Sequence, residues 1–323
     1  MCIMNNPKVS VIIPVYGVEK YIERCARSLF EQTLEDIEYI FVDDCTPDNS
    51  ISILCNVLSE YPNREKQVKI LHHEKNKGLA QARQTGLKIA SGEYIAHCDS
   101  DDWVDKDLYN VLYNQAVNLK SDMIAFDCKF TDGEKTLKII SGGDCIETFE
   151  CITSMMHMKM WWSLCNKFIK KDLYDCADII YPVDNMGEDM CLTLQIMYYC
   201  KAISYKHDVF YYYYQNTNSI IQVQTEENCI TKFHQICRNV EKVQKFYSNK
   251  RINNGIKKGL RYLEYNAKFP LHPLVSNKKY RDLWRNSYKG CEWSVIFDKY
   301  AYLKERVKAL LCIAGLYPLR HNR

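Results

Sequence analysis

The chain has 323 residues, enough for one large α/β domain with an appended segment or for two fused subdomains. Its net charge of +3, with no long basic run in the first two thirds, gives no case for nucleic-acid binding by bulk charge. Sixteen cysteines stand singly, without a Cys-x-x-Cys pair or zinc-like spacing. No apolar run approaches the roughly 18 residues that span a bilayer, and no export signal is recognisable. A cytoplasmic protein with reduced thiols is therefore expected.

Strands and helices are predicted to alternate through the first 130 residues. Runs rich in β-branched residues indicate strands, and apolar side chains at helical spacing indicate helices between them. This alternation predicts an α/β fold with a mainly parallel sheet. A polar hairpin is expected around residues 131–143, and helical structure across residues 225–268. The predicted strands cover residues 9–14, 37–42, 68–71, about 94–98 and about 122–126, and the predicted helices cover residues 19–30, about 51–58 and 79–90.

Carboxylates directly follow two of the predicted strands. Asp43 and Asp44 end the second strand, and Asp99, Asp101 and Asp102 follow the fourth. Ligands in such sheets bind beyond the carboxyl ends of the strands, so these acids are expected to meet in one crevice. They suit a hard divalent ion such as Mg²⁺ or Mn²⁺, whose shell a phosphorylated substrate would complete. The alternative is that they cap the following helices.

Other nucleotide-binding signatures are missing from the sequence. The first strand turn carries no Gly-x-Gly-x-x-Gly, and there is no Walker-type loop. Methionine, tryptophan and tyrosine are dense between residues 150 and 220, and include Trp161 and Trp162. This composition suits either a platform that stacks on sugar rings or an ordinary core.

Four short segments together carry a family signature. They are residues 9–16 (VSVIIPVY), 41–44 (FVDD), 76–83 (NKGLAQAR) and 99–102 (DSDD). In this order and spacing they resemble the inverting family 2 glycosyltransferases of the GT-A fold, which act in bacterial polysaccharide, capsule and lipo-oligosaccharide assembly. The resemblance implies a Rossmann-like, mainly parallel central sheet flanked by helices, here with a C-terminal helical extension. It also implies a nucleotide-diphosphate sugar donor and Mn²⁺ or Mg²⁺.

The resemblance assigns the nucleotide pocket to the ends of two strands. Pro14, Val15 and Tyr16 would hold the base through backbone groups and ring contact. Asp44 would accept a hydrogen bond from the edge of the base, and Asp43 would support the strand end.

The same resemblance assigns the phosphate region to an Asp-x-Asp motif and a basic loop. Asp99 would lie near the ribose and the metal, Ser100 would line the donor pocket, and Asp101 would ligate the metal that bridges the phosphates. Such an ion acts as a Lewis acid at the leaving oxygen. Lys77 and Arg83 would lie near the donor, beside a helix N-terminus that favours anions. The alternative for Arg83 is a solvated helix face.

A general base is implied within the segment MGEDM at residues 186–190. There Asp189 would take the proton of the acceptor hydroxyl, which contributes typically 10²–10⁴-fold to a rate. The alternative is that Glu188 and Asp189 form the acidic first turn of a helix. Tyr214 stands where relatives have an arginine, which leaves a phosphate-contacting role for that loop open.

The C-terminal tail is basic and amphipathic. Between residues 299 and 323, Glu305 is the one acid among six basic residues, and five apolar residues recur at helical spacing. Such a segment suits an anionic membrane surface, or a helix packed on the catalytic domain with a solvated basic side. The basic residues are Lys299, Lys304, Arg306, Lys308, Arg320 and Arg323, and the apolar residues are Leu303, Val307, Leu310, Leu311 and Ala314.

Together with the resemblance, these features predict a metal-dependent transferase that moves a sugar to a hydroxyl of a glycan or lipid-linked acceptor. The resemblance implies that the reaction is inverting and that the donor is a UDP-sugar. Residues 1–130 would bind the nucleotide sugar, residues 131–222 the acceptor, and residues 223–323 would form the helical extension. The enzyme is expected in the cytoplasm, with peripheral contact to the inner face of the plasma membrane. The alternatives are a sugar nucleotidyltransferase, which normally opens with a Gly-rich, Arg-containing loop, and a non-catalytic binder of nucleotides or glycans.

Overall fold

One mixed, mostly parallel sheet forms the centre of the protein in the computed structural model, which describes residues 6–215 and 225–316. The strands are β1 (Val9–Val15), β2 (Ile37–Asp43), β3 (Val68–His72), β4 (Tyr94–His97), β5 (Trp103–Val104), β6 (Met123–Thr131), β7 (Thr136–Ile140), β8 (Lys167–Lys170) and β9 (Ile203–Tyr214). They lie in the order β3-β2-β1-β4-β8-β6-β9-β5, and β7 pairs with β6. The first four strands are mutually parallel, and β8 runs antiparallel between β4 and β6.

Helices cover both faces of this sheet. The packing of α1, α2 and α4 defines one buried layer, and that of α3 and α5–α8 defines the other. The α-helices are α1 (Ile22–Phe30), α2 (Ser50–Ser59), α3 (Leu79–Ile89), α4 (Leu108–Leu119), α5 (Thr148–Met156), α6 (Glu188–Tyr199), α7 (Glu226–Tyr247), α8 (Asn254–Ala267), α9 (Lys278–Asn286), α10 (Cys291–Ile296) and α11 (Leu303–Ile313).

Strand β1 contributes apolar side chains to both layers. All seven of its residues are buried, because side chains alternate between the two faces and both faces are covered. Val11 and Ile13 pack with the helices of one layer, while Ile12 packs with those of the other. A continuous β-branched run is what such a doubly covered strand requires.

The predicted fold class is confirmed, including the strands and helices of the first 100 residues and the hairpin, which is formed by β6 and β7. Helix α1 begins at Ile22 and not at residue 19 as predicted, because the carbonyl of Val18 accepts the amides of Tyr21 and Ile22 in a turn. The division at residues 130 and 222 remains a prediction. Arg320 and Arg323 of the predicted basic tail lie outside the described residues.

The C-terminal helices complete the second layer and then extend beyond it. Helices α7 and α8 contribute Val240, Val243 and Leu263 to the large core. Helices α10 and α11 share a smaller core with α8, formed around Tyr262, Val295 and Ala309. Within residues 6–215 and 225–316, no helix combines the length and apolarity needed to cross a bilayer.

Candidate active site

Three neighbouring parallel strands deliver the predicted site residues to one edge of the sheet. Strand β1 lies between β2 and β4, so Tyr16, Asp44 and Asp99 follow adjacent strand ends. The side chain of Tyr16 is 49% exposed, which leaves its ring available for stacking. Pro14 and Val15 are buried, and the Val15 carbonyl accepts the amide of Asp44 at 3.0 Å.

Asp44 organises the loop that leads into α3. Its carboxylate is only 3% exposed and accepts the amides of Lys77 and Gly78 at 2.8 and 2.7 Å. His73 Nδ1 lies 2.6 Å from the same carboxylate. Asp43 makes a similar contact, in which its carboxylate accepts the amide of Thr46 at 2.8 Å. Both acids hold the loops at the strand end, and contact of Asp44 with a nucleotide base remains a prediction.

Gly78 is required at the start of α3. Its φ of +88° is in the left-handed region, and a Cβ atom there would lie 2.5 Å from Asn185 Oδ1. The same oxygen accepts the amide of Ala80 at 3.4 Å. The loop that precedes α3 thus packs directly against the segment that precedes α6. Lys77 has an exposed side chain, and its contact with a donor stays a prediction.

Arg83 joins the two halves of the site through three carboxylates. Its Nη2 donates to Asp99 at 2.5 Å, and its Nη1 donates to Asp189 at 2.7 Å and also to Glu188. Burial alone would lower the pKa of Arg83, but the negative charges of Asp99 and Asp189 raise it above its ordinary value. The solvated helix face considered above is therefore wrong for Arg83, which is 2% exposed.

Asp189 lies in the first turn of α6, as the alternative reading of the sequence expected, and also contacts Arg83. Helix α6 starts after Gly187, whose φ is +78°. The Asp189 side chain is 26% exposed, whereas that of Glu188 is 3% exposed. An accessible carboxylate held by a buried arginine suits a group that must receive a proton from a substrate. Glu188 instead provides a buried partner for Arg83.

Asp99 and Asp101 are the two carboxylates of this turn that could hold a cation. Burial and the negative charge of Asp99 raise the pKa of Asp101 to about 6. The positive charge near this carboxylate is therefore too small to offset its burial and the charge of Asp99. In residues 6–215 and 225–316, no group of three or more His, Cys, Asp or Glu side chains is arranged to hold a metal. Magnesium needs only one or two protein carboxylates when phosphates and water supply the rest. The residues therefore fit Mg²⁺ or Mn²⁺ in the presence of a diphosphate. Ser100, between them, is buried.

Asp102 has a structural partner of its own. It is 1% exposed, accepts the Tyr211 hydroxyl at 2.6 Å and accepts the Tyr214 amide at 2.8 Å. The Tyr211 hydroxyl also accepts the amide of Asp99 at 3.1 Å. Burial, with the charges of Asp101 and Asp99, raises the pKa of Asp102 well above its usual range. Strand β9 is thereby tied to the Asp-x-Asp turn.

Arg24 is a site residue that the sequence reasoning missed. Its guanidinium lies 3.6 Å from the ring centroid of Trp103 and 4.9 Å from that of Tyr214, and donates to the Asp101 carbonyl at 3.1 Å. Tyr214, which replaces the family arginine, therefore stacks on an arginine supplied by α1. No sequence signal marks this contact, because 77 positions separate Arg24 from Asp101.

Comparison with known proteins identifies the family of the chain. Residues 10–182 match the profile of Glycosyl transferase family 2. That match covers more than half of the chain, and the chain therefore belongs to glycosyl transferase family 2. The uncharacterized glycosyltransferase EpsJ of Bacillus subtilis (strain 168) is 28% identical over 224 residues, which are 67% of this chain and 64% of EpsJ. The chain thus matches less than two thirds of the length of EpsJ.

Solved structures agree on the fold. Residues 1–349 of S. aureus TarS, in complex with UDP, superimpose with a TM-score of 0.56 over 89% of this chain and 90% of that fragment, at 21% identity. The mannosyltransferase PcManGT of Pyrobaculum calidifontis, in complex with GDP-Man and Mn²⁺, gives 0.57 over 97% and 88%, at 15% identity. The fold is GT-A, as expected from the sequence.

Proposed function

We propose that the protein is a metal-dependent, inverting glycosyltransferase that moves a sugar from a nucleotide-diphosphate sugar to a hydroxyl of a glycan or lipid-linked acceptor in cell-surface polysaccharide synthesis. One observation carries this proposal: Arg83 bridges Asp99, in the Asp-x-Asp motif, and Asp189, the candidate base. A donor-side carboxylate and an accessible base are thereby held on two sides of one buried cation. UDP is the proposed nucleotide, supported by the fold shared with TarS, which was solved with UDP.

The proposed reaction requires one proton acceptor and one displaced group. Asp189 takes the proton of the acceptor hydroxyl as that oxygen attacks the anomeric carbon, and the nucleoside diphosphate leaves from the opposite face with the bonding electron pair. The product then has the inverted anomeric configuration. Arg83 keeps Asp189 oriented, and its role is positioning because its donors are directed to carboxylates.

The donor pocket of the proposed enzyme has three parts. The exposed ring of Tyr16 stacks on the base, while Asp44 shapes the Lys77–Gly78 loop beside it. Asp99 and Asp101 would hold Mn²⁺ or Mg²⁺, which when bound neutralises charge on the leaving diphosphate. PcManGT, which shares the fold, was solved with Mn²⁺. The tail would bring the enzyme to the inner face of the plasma membrane.

Product analysis tests the reaction class. The protein is incubated with UDP-glucose, UDP-galactose, UDP-GlcNAc or GDP-mannose, with Mn²⁺, Mg²⁺ or a chelator. Metal-dependent release of nucleoside diphosphate supports sugar transfer. Release of pyrophosphate supports nucleotidyl transfer instead, and donor binding without either product supports a non-catalytic binder.

Two substitutions separate the roles of the acids. Asp189→Asn is expected to lower turnover by about 10²–10⁴-fold while donor affinity, read by thermal shift, stays nearly unchanged. Asp101→Asn is expected to abolish the metal-dependent part of the thermal shift produced by UDP. Asp208→Asn is the matched control, because Asp208 is 62% exposed and pairs with Lys206, on the same strand. A metal-dependent shift that survives in Asp101→Asn would remove Asp101 from the metal site.

A further inference from the structure

Helix α11 presents its apolar side to solvent. Leu303 is 73% exposed, Leu310 is 52% exposed and Val307 is 49% exposed. Ala309 is the buried residue of α11 and lies on the opposite side of the helix. Successive helical residues are about 100° apart, so the exposed apolar residues share one stripe. We name this the outer stripe, formed by Leu303, Val307, Leu310, Leu311 and Ala314.

This orientation is the reverse of that in an ordinary surface helix, which buries its apolar stripe and exposes its charges. Here the small side chain of Ala309 contacts the protein, and Arg306 Nε donates to the Ile296 carbonyl at 2.8 Å. The helix is therefore fixed to the protein through its other sides. An exposed apolar stripe on a well-anchored helix indicates an interaction surface.

Positive charge borders the outer stripe on both sides. At helical spacing, Lys304 lies on one flank and Arg306 on the other. The acid of α11, Glu305, is turned towards the packed side, where its carboxylate is 13% exposed and pairs with Lys308 at 3.0 Å. Apolar side chains flanked by cations, with the acid turned away, are complementary to an anionic lipid surface.

Two exposed aromatic rings lie on the neighbouring helix α10 and at its C-terminal end. Trp293, in α10, is 52% exposed and stacks on Phe297, which is 69% exposed, with ring centroids 6.2 Å apart. Helices α10 and α11 share one buried cluster through Val295 and Ala309. Aromatic rings of this kind prefer the boundary between lipid headgroups and acyl chains.

We propose that α10 and α11 form a docking surface for an anionic lipid bilayer. The outer stripe and the Trp293–Phe297 pair enter the headgroup region, while Lys304 and Arg306 contact lipid phosphates. This inference rests on the membrane contact proposed above, for which it names the surface and the lipid chemistry, and it does not depend on the proposed catalytic function. If that function also holds, the surface brings the crevice close to an acceptor carried by lipid.

A second copy of the chain fits this surface less well. Helix α11 has 11 residues, so it is only about 16 Å long and about 10 Å wide. A stable dimer typically buries about 800 Å² on each partner. A symmetric contact through α11 would also bring Lys304 and Arg306 of both copies together, with like charges opposed.

Vesicle flotation tests the docking surface. The full chain is mixed with vesicles of phosphatidylcholine alone or of phosphatidylcholine with phosphatidylglycerol. Wild type is expected to float with the phosphatidylglycerol vesicles, and added salt is expected to weaken the binding. Leu303→Glu with Leu310→Glu is expected to weaken binding by about tenfold or more. Lys304→Gln is expected to weaken it by about fivefold, on the anionic vesicles only.

The control carries the same chemical change on a different helix. Val117→Glu with Leu119→Glu introduces two acids at sites on α4 that are 48% and 59% exposed, and vesicle binding should be retained. Failure of wild type to float, or equal flotation of the Leu303/Leu310 variant, would overturn the proposal. So would light scattering that finds a wild-type dimer and a monomeric Leu303/Leu310 variant, since the face would then join two copies. Nucleoside diphosphate release on a soluble acceptor is measured in parallel, so that loss of docking and loss of catalysis are told apart.

Discussion

Replacement of Arg83 by methionine should destabilise the protein strongly. The change leaves the Glu188 carboxylate, 3% exposed, without its cation, and removal of one partner of a buried ion pair costs about 3–5 kcal/mol. Asp99 and Asp189 contribute less to this cost because their side chains are 27% and 26% exposed and can be hydrated. The expected loss therefore arises mainly from one buried acid.

Urea unfolding, followed by the fluorescence of the five tryptophans, measures this loss. Arg27→Met is the matched control, because Arg27 also pairs with two acids, Glu23 and Glu60, but on the surface. It should shift the unfolding midpoint far less than Arg83→Met. Equal midpoints for the two variants would refute the view that Arg83 neutralises a buried acid.

A double substitution separates stability from function. Arg83→Met combined with Glu188→Met replaces a buried ion pair by apolar side chains of similar length, which is often neutral or stabilising. Most of the lost stability should return, whereas turnover should stay low because Asp189 has lost its orienting partner. A double variant as unstable as Arg83→Met alone would show that the arginine acts through other contacts.

Two further predictions concern buried groups beside the site. Burial lowers the pKa of His97 from 6.5 to about 3, so the folded state binds fewer protons than the unfolded state between those values, and stability is lost as pH falls below 6.5. This loss is about 2 kcal/mol at pH 5. A His97→Gln variant should therefore lose correspondingly less stability, measured by urea unfolding, between pH 7.5 and 5. An unchanged loss would contradict the lowered pKa of His97. Tyr211→Phe removes the donor to Asp102 and the acceptor of the Asp99 amide, and should cost about 1–3 kcal/mol in the same assay. Tyr213→Phe, which keeps a ring stacked on Phe130, should cost less, and equal losses would count against the Asp102 contact.

The sequence predicted the first half of the fold because its signals there are local. Strand β1 is a continuous apolar run because both of its faces are covered, and acids follow β2 and β4 directly. Because adjacent parallel strands end at the same edge of the sheet, the local signals are enough to predict that these acids meet there. The second half gave weaker signals, since β8 has four residues and runs antiparallel between two strands distant from it in sequence.

What the sequence determined by itself is the α/β architecture and the chemical character of the site, because periodicity and strand-end residues are read over a few positions. The tertiary structure alone decided which charged side chains pair with each other and which helix faces stay exposed. Arg83 and its partner Glu188 are 105 positions apart, and no local pattern encodes such a pairing. The apolar stripe of α11 was visible in the sequence, but its outward orientation depends on which side of the helix fits the surface formed by α8 and α10.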